Sequence, residues 1–267
     1  MIRRAAVAGS FYGATPERLI VEARDLIGGD QPKVPSIAAV VPHAGYMYSR
    51  KVAGAVYARL MFPEVFIIVG PNHTGLGAGA AIMARGAWET PLGRVPIDAD
   101  MAMAIMEHSR ALEEDHLGHQ REHSIEVQLP LLQAFGVPFS FVPICLFSSE
   151  LPTCRDIGLA IAKAVSRSGR TALIVASTDL SHYVDQAHAE RMDRAAIDAI
   201  MTLDAQRLHD VVRKERMTMC GFHPTSAVLV AARALGATSV ELVRYATSGD
   251  VTKDHTRVVG YAGLLIS

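Results

Sequence analysis

Three short apolar runs, Ile37–Val41, Val65–Val69 and Ala172–Ala176, constrain the fold of this chain more than any other feature. Each is continuous rather than alternating, as expected for a strand buried on both faces. Pro42 closes the first and Gly70-Pro71 the second, and between them Val52, Val56 and Leu60 recur at helical spacing over Ser49–Leu60. The result is one strand, helix, strand unit, with His43 and His73 falling just after its two strands.

Phe139–Ile144 reads as a further core strand, joined to Ala172–Ala176 through a helix near Cys154–Ser166. Helices are expected over Ala99–His108, Ser124–Phe135 and Pro224–Leu235, the last with proline in its first turn, and a helical period runs from Asp185 to Lys214. The glycine-rich stretch Ala80–Val95, containing Trp88 and Pro91, reads as a hairpin excursion, and Val240–Tyr245 and Val258–Ile266 fit closing strands. No repeat, low-complexity tract or Pro/Ser-rich linker divides residues 1–267, so a single α/β domain is expected.

Half of the 267 residues are hydrophobic, ample for a buried core. The net charge of -1, from 26 basic and 27 acidic residues without blocks, offers no cationic footprint to a nucleic-acid backbone or an anionic membrane. Cys145, Cys154 and Cys220 are odd in number and show no paired spacing, which argues against a disulfide framework and for a reducing compartment. Gly9, Ser10 and Gly13 interrupt the N-terminal apolar stretch before it reaches signal-peptide length, and no apolar run approaches the length of a bilayer span. The expectation is a cytoplasmic protein with neither nucleic acid nor membrane as partner.

Four separated segments place ligand-type side chains after apolar or helical runs: Pro42–Tyr46, Gly70–His73, Ser177–His182 and Met219–Gly221. The far ends of successive strands in an α/β protein meet at one face, so these residues can converge. The set suggests a metal site of His43, His73 and Cys220, with His182 as a proton carrier. Cys220 precedes the helix expected near Pro224, where the positive field of a helix N-terminus would favour thiolate. Asp179 and His182 stand three apart, which lets the carboxylate orient the imidazole if the segment turns into a helix. His123 and Glu126 repeat that spacing and suit a supporting role beside a metal, though Glu126 also fits as a cap of its own helix.

Other signals are weaker. His116 and His119 read as bystanders in a polar, exposed loop, and Cys145 and Cys154 as structural residues. Gly75–Gly79 lacks both the lysine of a phosphate loop and the spacing of a dinucleotide fold, and reads as a flexible loop over the site. There is no G-x-S-x-G elbow and no H-E-x-x-H helix, which argues against serine-hydrolase and zincin chemistry.

Taken together, Pro42–Tyr46, Gly70–His73, Glu122–Pro130, Ser177–His182 and Cys220–Pro224, followed by Ser248-Gly249-Asp250 and Val259–Gly263, resemble the Memo family, the AmmeMemoRadiSam system protein B group. That family in turn is similar to the class III extradiol dioxygenases of the LigB type. The resemblance implies a central, mostly parallel or mixed sheet with helices on both faces. It matches His43 and His73 to two metal-binding histidines, His182 to an acid/base histidine and His123 to a second active-site histidine. Cys220 stands where the family has its cysteine and the dioxygenases a glutamate.

The thiol departs from the usual facial triad and weakens the case for ring cleavage. The expectation is therefore an iron- or copper-dependent redox enzyme, with copper sequestration or scaffolding as the alternative and a zinc hydrolase ranked last. The expected partners are a small-molecule or peptide ligand at the metal, and the resemblance adds a radical-SAM system partner.

Overall fold

The computed structural model describes residues 1–27, 32–147 and 149–267. Among them, four strands form the parallel heart of a nine-stranded mixed sheet, in the order Ala38–Val41, Ala172–Ser177, Val65–Pro71, Ser140–Leu146. These are the four expected core strands. Val258–Ile266 runs antiparallel beside Ala38–Val41 and carries Val240–Thr247 on its outer edge.

Side chains alternate between the two faces along each central strand, as the two-residue period of a pleated sheet requires, and both faces are buried. Val65, Ile67 and Val69 enter one hydrophobic cluster with Ile157 and Ile161 of the helix Leu151–Ser168 and Val228 of the helix Phe222–Ala234. Phe66 and Ile68 enter the other, with Val56 and Tyr57 of the helix Tyr46–Tyr57 and Leu19 of the helix Pro16–Ile27. Helices thus cover both faces, which explains why these strands read as unbroken apolar runs.

The structure departs from expectation in several places. Ala80–Ile82 does not belong to the hairpin; it joins the main sheet antiparallel to Ser140–Leu146. The hairpin proper, Ala87–Thr90 with Gly93–Pro96, forms a small sheet with Ile2–Arg3. The helix expected over Ser124–Phe135 spans only Gln128–Ala134, because the preceding residues turn to serve the site. Gln186–Ile200 and Ala205–Lys214 are separate helices, broken at Leu203 with φ of 56°. Pro16–Ile27 has no counterpart in the sequence reading.

The segment after Asp179 also differs. It does not coil into a helix: His182–Val184 is a short strand paired with the start of Val258–Ile266. No helix among the described residues is long and apolar enough to cross a membrane.

Candidate metal centre

The parallel strands Ala38–Val41, Val65–Pro71 and Ala172–Ser177 end on the same side of the sheet, the side on which α/β folds place their ligands. His43, Asn72-His73 and Thr178-Asp179 follow directly.

His43 is buried, and its Nδ1 lies 3.0 Å from the Oγ of Ser177. That hydroxyl donates its one proton to the Ser124 carbonyl at 2.6 Å and accepts from Gln128 Nε2 at 2.8 Å. With the serine proton already committed, Nδ1 of His43 must be the donor, so the neutral ring carries its free lone pair on Nε2. Gln128 is itself oriented by donating to the Pro42 carbonyl and accepting from the Tyr57 hydroxyl.

His73 is fixed by Glu122. The ring donates from Nδ1 to Oε1 at 2.9 Å, which again leaves Nε2 free. Glu122 also accepts the backbone amides of His73, His123 and Ser124. Burial alone would raise this carboxyl, but the hydrogen bond and charge of His73, the nearby His123 and the Ser124 amide bring it down to about 2. His123 stacks on His73 with ring centroids 4.5 Å apart, and its Nδ1 lies 3.3 Å from the same Oε1.

One ligand atom each from His43, His73 and His123 lies within 4.8 Å of the other two. Burial holds His43 neutral, well below the usual histidine range, and the neighbouring His123, His73 and His182 add to the effect. Burial likewise lowers His123 to about 4, against the pull of Glu122. Three imidazoles, two with their outer nitrogens already bonded, are a donor set suited to a transition-metal ion.

Cys220 lies outside this group of three but next to it: its Sγ is 3.4 Å from His43 Nε2 and accepts the Asp179 amide at 3.3 Å. The expected lowering of its pKa does not occur. Burial raises the thiol, the charge of Asp179 raises it further, and the Gly221 amide that opens the helix donates to Thr178 Oγ1 instead. Gly221 is required there, since a Cβ would stand 2.4 Å from that of Thr178.

Asp179 does not orient His182. Its Oδ1 accepts the His43 and Ala44 amides at 2.9 and 3.3 Å and so fixes the loop that carries His43. His182 gives its amide to Thr218 Oγ1, and its Nδ1 lies 2.8 Å from the Leu180 carbonyl. A carbonyl only accepts, so Nδ1 is the donor in that contact. His43, His73, His123, Asp179 and His182 all line one cleft of about 610 Å³, whose remaining walls include Phe11, Tyr48 and Tyr261.

Three neighbouring expectations fail. Glu126 is no partner of His123; it is buried and accepts from Arg3, the Ala6 and Val7 amides and the Tyr12 hydroxyl, tying down the N-terminal arm. His119 is buried against Trp88 rather than exposed. Gly75–Gly79 does not line the cleft: Asn72 Oδ1 accepts the Thr74 and Gly75 amides, and Asp115 accepts that of Ala78. Glu122, which the sequence reading passed over, has its partner His73 49 positions upstream, beyond any local pattern.

Fold and site together define an α/β protein built on one large mixed sheet, with a histidine cluster that could hold a metal at the ends of its parallel strands. The chain belongs to the Memo family: residues 3–265 match the family model described as Memo-like protein. It is 44% identical over 99% of its length to a MEMO1 family protein of Methanothermobacter thermautotrophicus, all of which is covered. It is also 43% identical to one of Methanopyrus kandleri, with 99% of each chain covered. Among solved structures, the crystal structure of an uncharacterized protein, JW3007, from Escherichia coli K12 superposes with a TM-score of 0.58 at 13% identity. That match covers 85% of this chain and 98% of the other. This likeness extends to the fold alone.

Proposed function

We propose that this protein is an iron- or copper-dependent redox enzyme acting on a small molecule in the cleft. The observation that carries the reading is the convergence of His43, His73 and His123 with their ligand atoms within 4.8 Å. His43 and His73 would hold the ion, with His123 or Cys220 completing the set. A bound iron or copper ion supplies one-electron chemistry and an open coordination position for a substrate oxygen.

The remaining work falls to the chain itself. His182, whose Nδ1 donates to the Leu180 carbonyl, is the base that takes a proton from an entering hydroxyl. Ser177 and Glu122 hold the ligating rings in one tautomer, and Asp179 holds the His43 backbone. Phe11, Tyr48 and Tyr261 give the cleft apolar walls that limit water.

The Cys220–His43 contact supports a second reading. A thiol beside an imidazole suits Cu(I), so the same pocket would serve a copper-binding protein without turnover. Oxygen consumption by the metal-loaded protein with a panel of phenols separates the two.

The metal reading itself is tested by metal analysis of anaerobically purified protein beside His43→Ala, His73→Ala, His123→Ala and Cys220→Ser. Loss of metal in the first two variants is expected. Equal metal content in all five proteins would sink the proposal. Loss in His123→Ala but not Cys220→Ser would make the third ligand an imidazole, and the reverse would make it the thiol.

A further inference from the structure

The outer wall of the cleft contains a feature that the metal chemistry does not use. His182 pairs with Val259 and Val184 with Val258, so Tyr183 is the extra residue of a β-bulge. Its φ is 60°, a left-handed conformation that is costly for a bulky side chain, and the residue is 65% exposed. An exposed aromatic residue held at such a cost needs a reason on the surface it faces.

That surface carries Arg257, whose guanidinium carbon sits 5.6 Å from the centre of the Tyr183 ring. Both residues line the same cleft as the histidine cluster. Among the described residues Arg257 forms no ion pair. The two carboxylates of the cleft are engaged elsewhere. Asp179 accepts the His43 and Ala44 amides, and Asp254 accepts the Thr256 amide and hydroxyl. The cleft therefore has aromatic walls, imidazoles at its base and, at its wall, one guanidinium that none of its own carboxylates pairs with, set against an aromatic plate.

We propose that Arg257, stacked on Tyr183, is the anion-recognition point of this cleft and that the occupant is a small organic monocarboxylate with an apolar or aromatic body. A single guanidinium neutralises one negative charge and matches a carboxylate in a two-pronged geometry, whereas a dianionic phosphate would call for more than one cation. The apolar body lies against Phe11, Tyr48 and Tyr261. This rests on the cleft being the substrate site of the preceding section, and it names the class of molecule admitted there.

The test is titration of metal-free and metal-loaded protein with phenylacetate and with its uncharged counterpart 2-phenylethanol, followed by NMR. Wild-type protein should prefer phenylacetate. Because hydrogen bonds to charged groups lie among the stronger kinds, Arg257→Gln should weaken phenylacetate binding about tenfold and leave 2-phenylethanol unchanged. Arg257→Lys should recover part of the loss, and Tyr183→Gly, which removes the plate and relieves the backbone, should weaken the acid alone. Metal content and far-UV circular dichroism should be unchanged in all three.

Equal affinity for acid and alcohol, no binding of the acid, or an Arg257→Gln variant that binds the acid as wild type does would overturn the proposal. Carboxylate selectivity in a protein that takes up no metal would leave this recognition point standing and remove the redox reading. Metal uptake without carboxylate selectivity would do the opposite.

Discussion

One carboxylate holds both the backbone and the ring of His73: Glu122 Oε2 accepts the His73 amide at 2.5 Å and Oε1 accepts the ring Nδ1–H at 2.9 Å. The imidazole therefore cannot rotate or change tautomer without breaking a bond to a fully buried charge. Partners of this kind typically control metal affinity by 10- to 100-fold. Glu122→Gln, which keeps the size but loses the charge, should weaken metal binding by about that factor in a chelator competition. An unchanged affinity would show that His73 is positioned by other contacts.

The thiol of Cys220 gives a prediction of its own. Burial raises its pKa, and the charge of Asp179 adds to the rise, so the metal-free protein holds a protonated thiol beside His43. Alkylation needs the thiolate. Iodoacetamide at pH 8 should therefore modify Cys220 at least about tenfold more slowly than free cysteine, as read by peptide mass spectrometry. Fast modification would mean that the helix beginning at Phe222 lowers the thiol after all.

Much of this architecture was legible in the chain, for a physical reason. Strands covered on both faces leave unbroken apolar runs, so Ala38–Val41, Val65–Pro71 and Ala172–Ser177 announced themselves, and His43 and His73 could be read as the residues just beyond them. Bonds between distant segments leave no such trace. Glu122 reaches His73, and Glu126 reaches Arg3, 123 positions upstream. Neither partner is within a helical turn. The spacing of Asp179 and His182 suggested a helix, but Asp179 bonds the loop of His43 and His182 pairs with Val259, so long-range contacts determine the local conformation.

The Arg3–Glu126 pair is buried on both sides and is also met by the Ala6 and Val7 amides and the Tyr12 hydroxyl. Removing one partner leaves the other charge in the core, a loss of about 3–5 kcal/mol for such pairs. Arg3→Met should lower the unfolding free energy by that amount in urea denaturation while the metal content of the folded protein stays the same. A loss below about 1 kcal/mol, the value of an exposed pair, would mean that water reaches Glu126.

Asp98 makes the acid stability of the fold testable far from the cleft. It caps the helix Ala99–His108 by accepting the Met101 amide at 3.0 Å, and it also accepts from Ser140 Oγ and Arg170 Nη1, each at 2.7 Å. Burial would raise this carboxyl, but the Ser140 hydroxyl, the Met101 amide and Arg170 outweigh it and lower the pKa. The folded form therefore releases its proton more readily than the unfolded chain, whose value is about 3.9. The stabilisation is complete above that pH and disappears as the pH falls through the lower, folded value. Asp98→Asn should cost on the order of 1 kcal/mol at pH 7, because the carbonyl still caps the helix while the charge on Arg170, itself partly exposed, loses its partner. The gap between wild type and variant in urea unfolding should narrow at pH 3. A gap of constant size would mean that the cap and the Ser140 contact, rather than ionisation, account for the contribution of Asp98.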